Sequence, residues 1–181
     1  MQAFVAGTPA TSVFAARNGV VLGALHMEVM SWKGVAGPAS VMRRLHSPAM
    51  AEAASKIAAR FGLNGFHGLD FMRDVDGVPH LIEINPRATQ ICHLPLEADL
   101  PACLIGVPER PSLTALRKIA LFPQVLTALN LPESVFQDIP WDDPGVLHAS
   151  AGDSLPDADA TAFIERFGRP GEAPPIFRHR A

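Results

Sequence analysis

The sequence predicts an α+β fold in which antiparallel β-hairpins pack with helices. Three observations predict it. Asn18-Gly19 separates "SVFAAR" from "VVLGALHMEV", and Asp76-Gly77 separates "DFMRDV" from "VPHLIEIN". Both dipeptides suit a two-residue hairpin turn between β-rich runs. Between the two hairpins lies "AMAEAASKIAARF", alanine-rich, with Met50, Ala54, Ile57 and Phe61 at helical spacing. Hairpin, loop, helix, hairpin is an α+β order.

Each element has its own signal. The first hairpin occupies roughly residues 10–30, and "SWKGVAGPAS" reads as a loop from its glycines and proline. "VMRRL" fits a short strand. Ser47 is a helix N-cap and Pro48 a first-turn residue. The predicted helix runs over 48–61, with Gly62 as its left-handed terminator. Pro86 stops the second hairpin, and "PRATQICHLPL" leads toward a short helix. "LTALRKIALFPQVLTAL" is read as helix up to Pro123. "IPWDDPG" is a turn with Trp141 as an apolar anchor, expected to dock the tail on the main domain. The Pro-rich end, "GRPGEAPPIFRHRA", is expected to fray.

The second hairpin carries the chemistry. A two-residue loop at Asp76-Gly77 would pair Arg73 with His80, Met72 with Leu81, Asp70 with Glu83 and Gly68 with Asn85. Side chains alternate faces along a strand. Gly68, Asp70, Met72, Leu81, Glu83 and Asn85 would then share one face, and Leu69, Phe71, Ile82 and Ile84 the other, as core. Directly opposed residues have Cβ atoms roughly 4.5–5.5 Å apart, where like charges repel. Two carboxylates and an amide so placed suit a hard divalent cation. The bland alternative is a solvated hairpin whose acids face water. Against it stand the apolar neighbours of Glu83 and the cost of unpaired carboxylates. Arg87, just past the strand, is either a surface cation or a fork for phosphate or carboxylate. Lys33, in "WKGVAG", sits either in a solvated loop or in one that closes over anionic phosphates. No GxxxxGK[ST] and no strand-borne GxGxxG is present. His67 and His80 with Asp70 would suggest a transition-metal site, but the register sets both histidines on the opposite face.

Composition bounds the rest. The chain has 181 residues, 48% hydrophobic, and a formal charge of −3. No basic excess indicates nucleic acid, and no run of about 18 apolar residues indicates a membrane span. The first fifteen residues carry no Lys or Arg, so a secretory n-region is not visible. Cys92 and Cys103 make neither a disulfide framework nor a CxxC pair, which leaves a reducing cytoplasm as the expectation.

The stretch "GLNGFHGLDFMRDVDGVPHLIEINPRATQ" resembles the C-terminal half of an ATP-grasp domain. That family's metal-binding hairpin runs Asp, a turn, then Glu-x-Asn. The "EINPR" form is similar to carbamoyl phosphate synthetase, biotin carboxylase and related carboxylate–amine ligases. The likeness extends back through the helix and first hairpin to "QAFVAG". It implies residues 1–97 as ATP-grasp domain and 98–181 as an accessory extension. It also implies ATP as cosubstrate, with Mg²⁺ or Mn²⁺ held by Asp70, Glu83 and Asn85. Arg87 would meet the transferring phosphate. Gln2, Ala3 and Val5 would lie at the adenine hinge, with Met72 or Leu81 packing under the base. The implied reaction turns a small carboxylate into an acyl-phosphate that an amine attacks. Two features depart from the pattern. Pro9 stands where the family places a ribose-holding acid, and the family's earlier domain with its phosphate-binding lysines does not precede "QAFVAG". The expectation is therefore a truncated or split ligase. Its rival is a non-catalytic nucleotide- or metal-binding module that needs a partner chain.

Overall fold

The computed structural model describes residues 4–32, 37–108, 116–127, 131, 134–140, 143, 145–147 and 149–150. Gln2, Ala3, Lys33, Trp141 and the Pro-rich end lie outside them.

β1 (Thr8–Arg17) and β2 (Val20–Trp32) form the first hairpin. Its turn is the expected one: Arg17 pairs with Val20, and Asn18 and Gly19 both take positive φ, 49° and 78°. The tip docks on the end of α1 (Pro48–Phe61), where the Gly19 amide donates to the Leu63 carbonyl at 3.0 Å. The helix bounds match the sequence signals. Ser47 caps its start by accepting from the Met50 amide, and Gly62 ends it in the left-handed region at φ 59°. β3 (Ala39–Arg44) precedes the helix. β4 (Gly65–Arg73) and β5 (Pro79–Asn85) form the second hairpin. Then come α2 (Leu100–Ile105), β6 (Lys118–Ala120) and β7 (Val135–Gln137). Residues 118–120, read from sequence as helix, are strand: they pair with β3, and Ile119 and Ala120 enter different cores on its two faces.

Among the described residues the strands make one seven-stranded sheet, in the order β5-β4-β1-β2-β3-β6-β7, antiparallel except for β6–β7. This is an α+β fold, as expected. α1 covers one face. It buries Met50, Ala54 and Ala58 against Ala10, Phe14, Leu69 and Phe71. The other face carries a second core of Val13, Leu25, Met27 and Met42. The segment after β5 covers that core with Ile91, Leu94, Leu96 and Leu100. That cover ends partway along the strands, and an open cleft remains on the same face.

The second hairpin departs from the expected register. Asp74, which the sequence reading passed over, organises the turn. Its Oδ1 accepts from the amides of Asp76 (3.0 Å) and Val78 (2.9 Å), and its Oδ2 lies 2.7 Å from His80 Nε2. A short acidic side chain able to bond the backbone ahead of it favours a longer turn. The loop is therefore Asp74–Val78, and Phe71, Met72 and Arg73 pair with Leu81, His80 and Pro79. A bulge then restores the expected pairs Asp70–Glu83, Leu69–Ile84 and Gly68–Asn85. Ile82 is the extra residue. One inserted residue changes which face its neighbours meet. Leu81 consequently packs with the α1-side core, whereas Ile82 faces the cleft. His80 is thereby paired with Met72, on the face that carries Asp70, and not with Arg73 on the opposite face as expected.

His26 gives the fold a pH dependence. It is 5% exposed beneath α1, with Nδ1 2.8 Å from the buried Ser12 hydroxyl. Burial pushes its pKa below 6.5; Glu97 opposes this shift and His46 adds to it. A lowered histidine pKa means the unfolded chain takes up the proton first. Stability from this group is complete above the unfolded value and is lost as pH falls through the lower native one. Urea midpoints of wild type and His26→Gln should therefore diverge on going from about pH 7.5 to about pH 5, the wild type losing more. Parallel curves would remove His26 as the cause.

Candidate functional site

The cleft has a volume of ≈ 700 Å³ and lies over β4, β1, β2 and β3 on the face opposite α1. Its acidic wall is the β4–β5 hairpin, with Asp70, Glu83 and Asn85. Met72 and Ile82 add apolar surface beside them. The floor includes Pro9, Thr11, Val29 and Met42. The third wall is the chain leaving β5, with Arg87, Thr89, Gln90 and Ile91, and beyond it Leu121.

The expected pair is present. Asp70 sits directly opposite Glu83, and the Asn85 amide nitrogen donates to Asp70 Oδ2 at 2.9 Å and to Glu83 Oε1 at 3.1 Å. Burial pushes the Asp70 carboxyl above its ordinary pKa. A hydrogen bond with Thr11 offsets part of that, and the charge on Glu83 raises it further. A half-buried carboxylate facing a second one is a place where positive charge is stabilising. Among the described residues no group of three or more His, Cys, Asp or Glu could hold a metal ion. A cation here would rest on two carboxylates plus neutral oxygens. Asn85 offers an oxygen as readily as an N–H group, and the Thr89 hydroxyl is buried at the cleft wall without a hydrogen-bond partner. Hard divalent ions take such oxygen sets and leave room for substrate oxygens. The residues present fit a divalent cation.

Arg87 is exposed at the cleft, and its guanidinium donates to the Ala88 carbonyl at 3.2 Å. Met72 lines the cleft, and Leu81 is turned to the α1 side by the bulge. Val5 is half-buried just before β1. Gly7 marks how the chain enters: a Cβ there would collide with the Arg73 carbonyl oxygen, so glycine lets residues 4–7 lie against the end of β4. His67 stacks on Phe14 at 5.5 Å and bonds the Asn64 carbonyl on the α1 side, away from the carboxylates. Sequence reasoning missed Thr11, Ile82, Thr89, Gln90 and Leu121. For Thr11 a signal existed, since alternation from Val13 puts it on that face. The others depend on a bulge or on contacts distant in sequence.

A family model described as an ATP-grasp domain matches residues 1–90. No curated protein matches the chain. Similar solved structures include L-amino acid ligase from Bacillus licheniformis, at 15% identity and TM-score 0.43, covering 56% of this chain and 29% of that one. Another is the phosphoribosylaminoimidazole carboxylase ATPase subunit from Aquifex aeolicus, at 13% identity and TM-score 0.46, covering 59% and 35%. A third is the biotin carboxylase–beta-gamma-ATP complex from Campylobacter jejuni, at 18% identity and TM-score 0.43, covering 60% and 27%. The chain thus spans 27% to 35% of the length of these proteins. No helix among the described residues is long and apolar enough to cross a membrane.

Proposed function

The chain belongs to the ATP-grasp superfamily through residues 1–90, and on that footing we propose that it is the ATP- and metal-binding part of a ligase that activates a carboxylate. One observation carries the reading: Asp70 and Glu83 face each other, bridged by Asn85, on the wall of a cleft large enough for a nucleotide. A pocket of several hundred Å³ with few polar groups in convergent positions is the usual form of a small-molecule site.

The residues divide the work. Asp70, Glu83 and Asn85 would hold Mg²⁺ or Mn²⁺, which when bound neutralises phosphate charge. Met72 and Ile82 supply flat apolar surface for the base. Arg87 supplies a planar fork for a phosphate, a geometry that favours guanidinium over ammonium. In the reaction, a carboxylate oxygen of the substrate attacks the γ-phosphorus of ATP and ADP leaves. An amine then attacks the acyl carbon and inorganic phosphate leaves. Catalysis of such transfers is mainly positioning and charge stabilisation.

Calorimetric titration with AMPPNP tests this. Binding should need Mg²⁺, and Arg87→Ala should weaken it about 10- to 100-fold, the range for losing a charge-assisted hydrogen bond. Equal affinity in EDTA and in Mg²⁺, or no effect of Arg87→Ala, would remove the phosphate-end assignment. Metal-dependent binding without ADP release from any carboxylate–amine pair would favour the non-catalytic module.

A further inference from the structure

The family match stops at residue 90, but the cleft does not. Its wall continues through Ile91 to Leu121, which lies just past β6. The chain that carries Arg87 crosses the open face of the sheet from β5 toward β6, and it is held at both ends. At the β4 end it presses on Gly68, where an added Cβ would stand 2.8 Å from Thr89 Cγ2 and 3.3 Å from Asn85 Cβ. At the far end Gln90 Nε2 donates to the Phe122 carbonyl at 3.3 Å and to Gln124 Oε1 at 3.2 Å. Just beyond, His93 Nε2 lies 2.9 Å from Asp138 Oδ1. Ile91, Ile119 and Leu121 share one buried cluster, and the Leu121 amide donates to the Ser40 carbonyl on β3 at 2.8 Å.

We propose that β6 and the turn after it, residues 118–124, are a working part of the cleft, and that Gln90 is the positioning residue that fixes the Arg87 loop against them. The proposal rests on the ATP-grasp reading of the cleft and goes beyond it, because the segment lies outside the matched domain. The Arg87 side chain is exposed and, among the described residues, bonds only the adjacent carbonyl of Ala88. Its aim is therefore set by its backbone. That backbone has little secondary structure and takes its place from what grips it. After Arg87, Gln90 is the first side chain along the loop that bonds another element, and it bonds two groups of the β6 turn at once. The loop cannot shift relative to Leu121 without breaking both bonds. Preorganising a phosphate-binding side chain in this way lowers the ordering cost of ligand binding.

Gln90→Met keeps the length of the side chain and removes the donor. Gln124→Met removes one acceptor from the opposite side and serves as the second variant. Two measurements on the full chain decide the matter. Amide hydrogen exchange should speed up about three- to tenfold over residues 87–94 in Gln90→Met, with β1, β2 and β4 unchanged, since a net hydrogen bond holds the loop closed by that factor. Affinity for Mg-AMPPNP should fall about three- to tenfold in Gln90→Met, and by less than twofold when Gln90→Met is added to Arg87→Ala. A merely structural glutamine would show no such coupling, and additive losses would overturn the positioning role. Unchanged exchange over 87–94 would overturn the grip itself. If wild type binds no Mg-AMPPNP, the nucleotide reading of the cleft falls and the positioning role with it. The exchange data would still show separately whether the loop is gripped.

Discussion

Glu83→Gln should abolish the rise in melting temperature that Mn²⁺ or Mg²⁺ gives the wild-type protein. A ligand that binds only the folded state stabilises it by mass action, about 1.4 kcal/mol at ten times its dissociation constant. For a chain of this size that is about 3–6 °C. The mutation removes one of the two facing carboxylates and keeps the shape of the side chain. The affinity that depends on paired charge is lost. Without metal, the same variant should be as stable as wild type or slightly more so, because the repulsion between Asp70 and Glu83 is relieved. Melting scans with EDTA and with added metal separate the two effects. A metal-induced shift that survives intact in Glu83→Gln would exclude the carboxylate pair as the cation site.

The second large effect lies outside the cleft. Glu28 is buried on β2, 5% exposed, and its two oxygens are held by different arginines. Oε2 accepts from Arg43 on β3, and Oε1 accepts from Arg73 on β4 at 2.6 Å. The triad ties together strands on either side of β1 and β2, next to the point where Gly7 enters against Arg73. Removing one partner of a fully buried ion pair costs about 3–5 kcal/mol. Arg43 is half exposed and stays hydrated, so about 2–3 kcal/mol is expected for Glu28→Gln, read as a lower urea midpoint. Arg43→Met should cost less, about 1 kcal/mol or below, because its charge is the more exposed one. The metal-induced melting shift should persist in Glu28→Gln. Loss of that shift would mean that the triad shapes the cleft as well as the sheet.

Much of the architecture was legible because it is decided over a few residues. Asn18-Gly19 requires two positive φ values, and the first hairpin turns there. Ser47, Pro48 and Gly62 bracket the helix because capping satisfies the backbone groups a helix end leaves open. Asp70, Glu83 and Asn85 converge because pairing near the end of β5 repeats the period of two. The expected register failed where a competing local bond intervened. Asp74 bonds the amides of Asp76 and Val78, the loop lengthens, and the bulge exchanges Leu81 for Ile82 at the cleft wall. Nothing in "HLIEIN" announces that exchange, since both residues are apolar and β-compatible.

By itself, then, the sequence determined the hairpins, the helix with its caps, and the pair of facing carboxylates. Each is set by backbone sterics, capping or strand alternation within a short span. Only the tertiary structure decided which strands neighbour one another, that residues 118–120 add to the sheet edge as β6, and that Leu121 and Gln90 meet beside the cleft. The same holds for Glu28 with Arg43 and Arg73, whose partners lie 15 and 45 residues away. Such contacts depend on how apolar faces stack and on how buried charges find counter-charges. Those are energies of the assembled sheet, and no window of local sequence contains them.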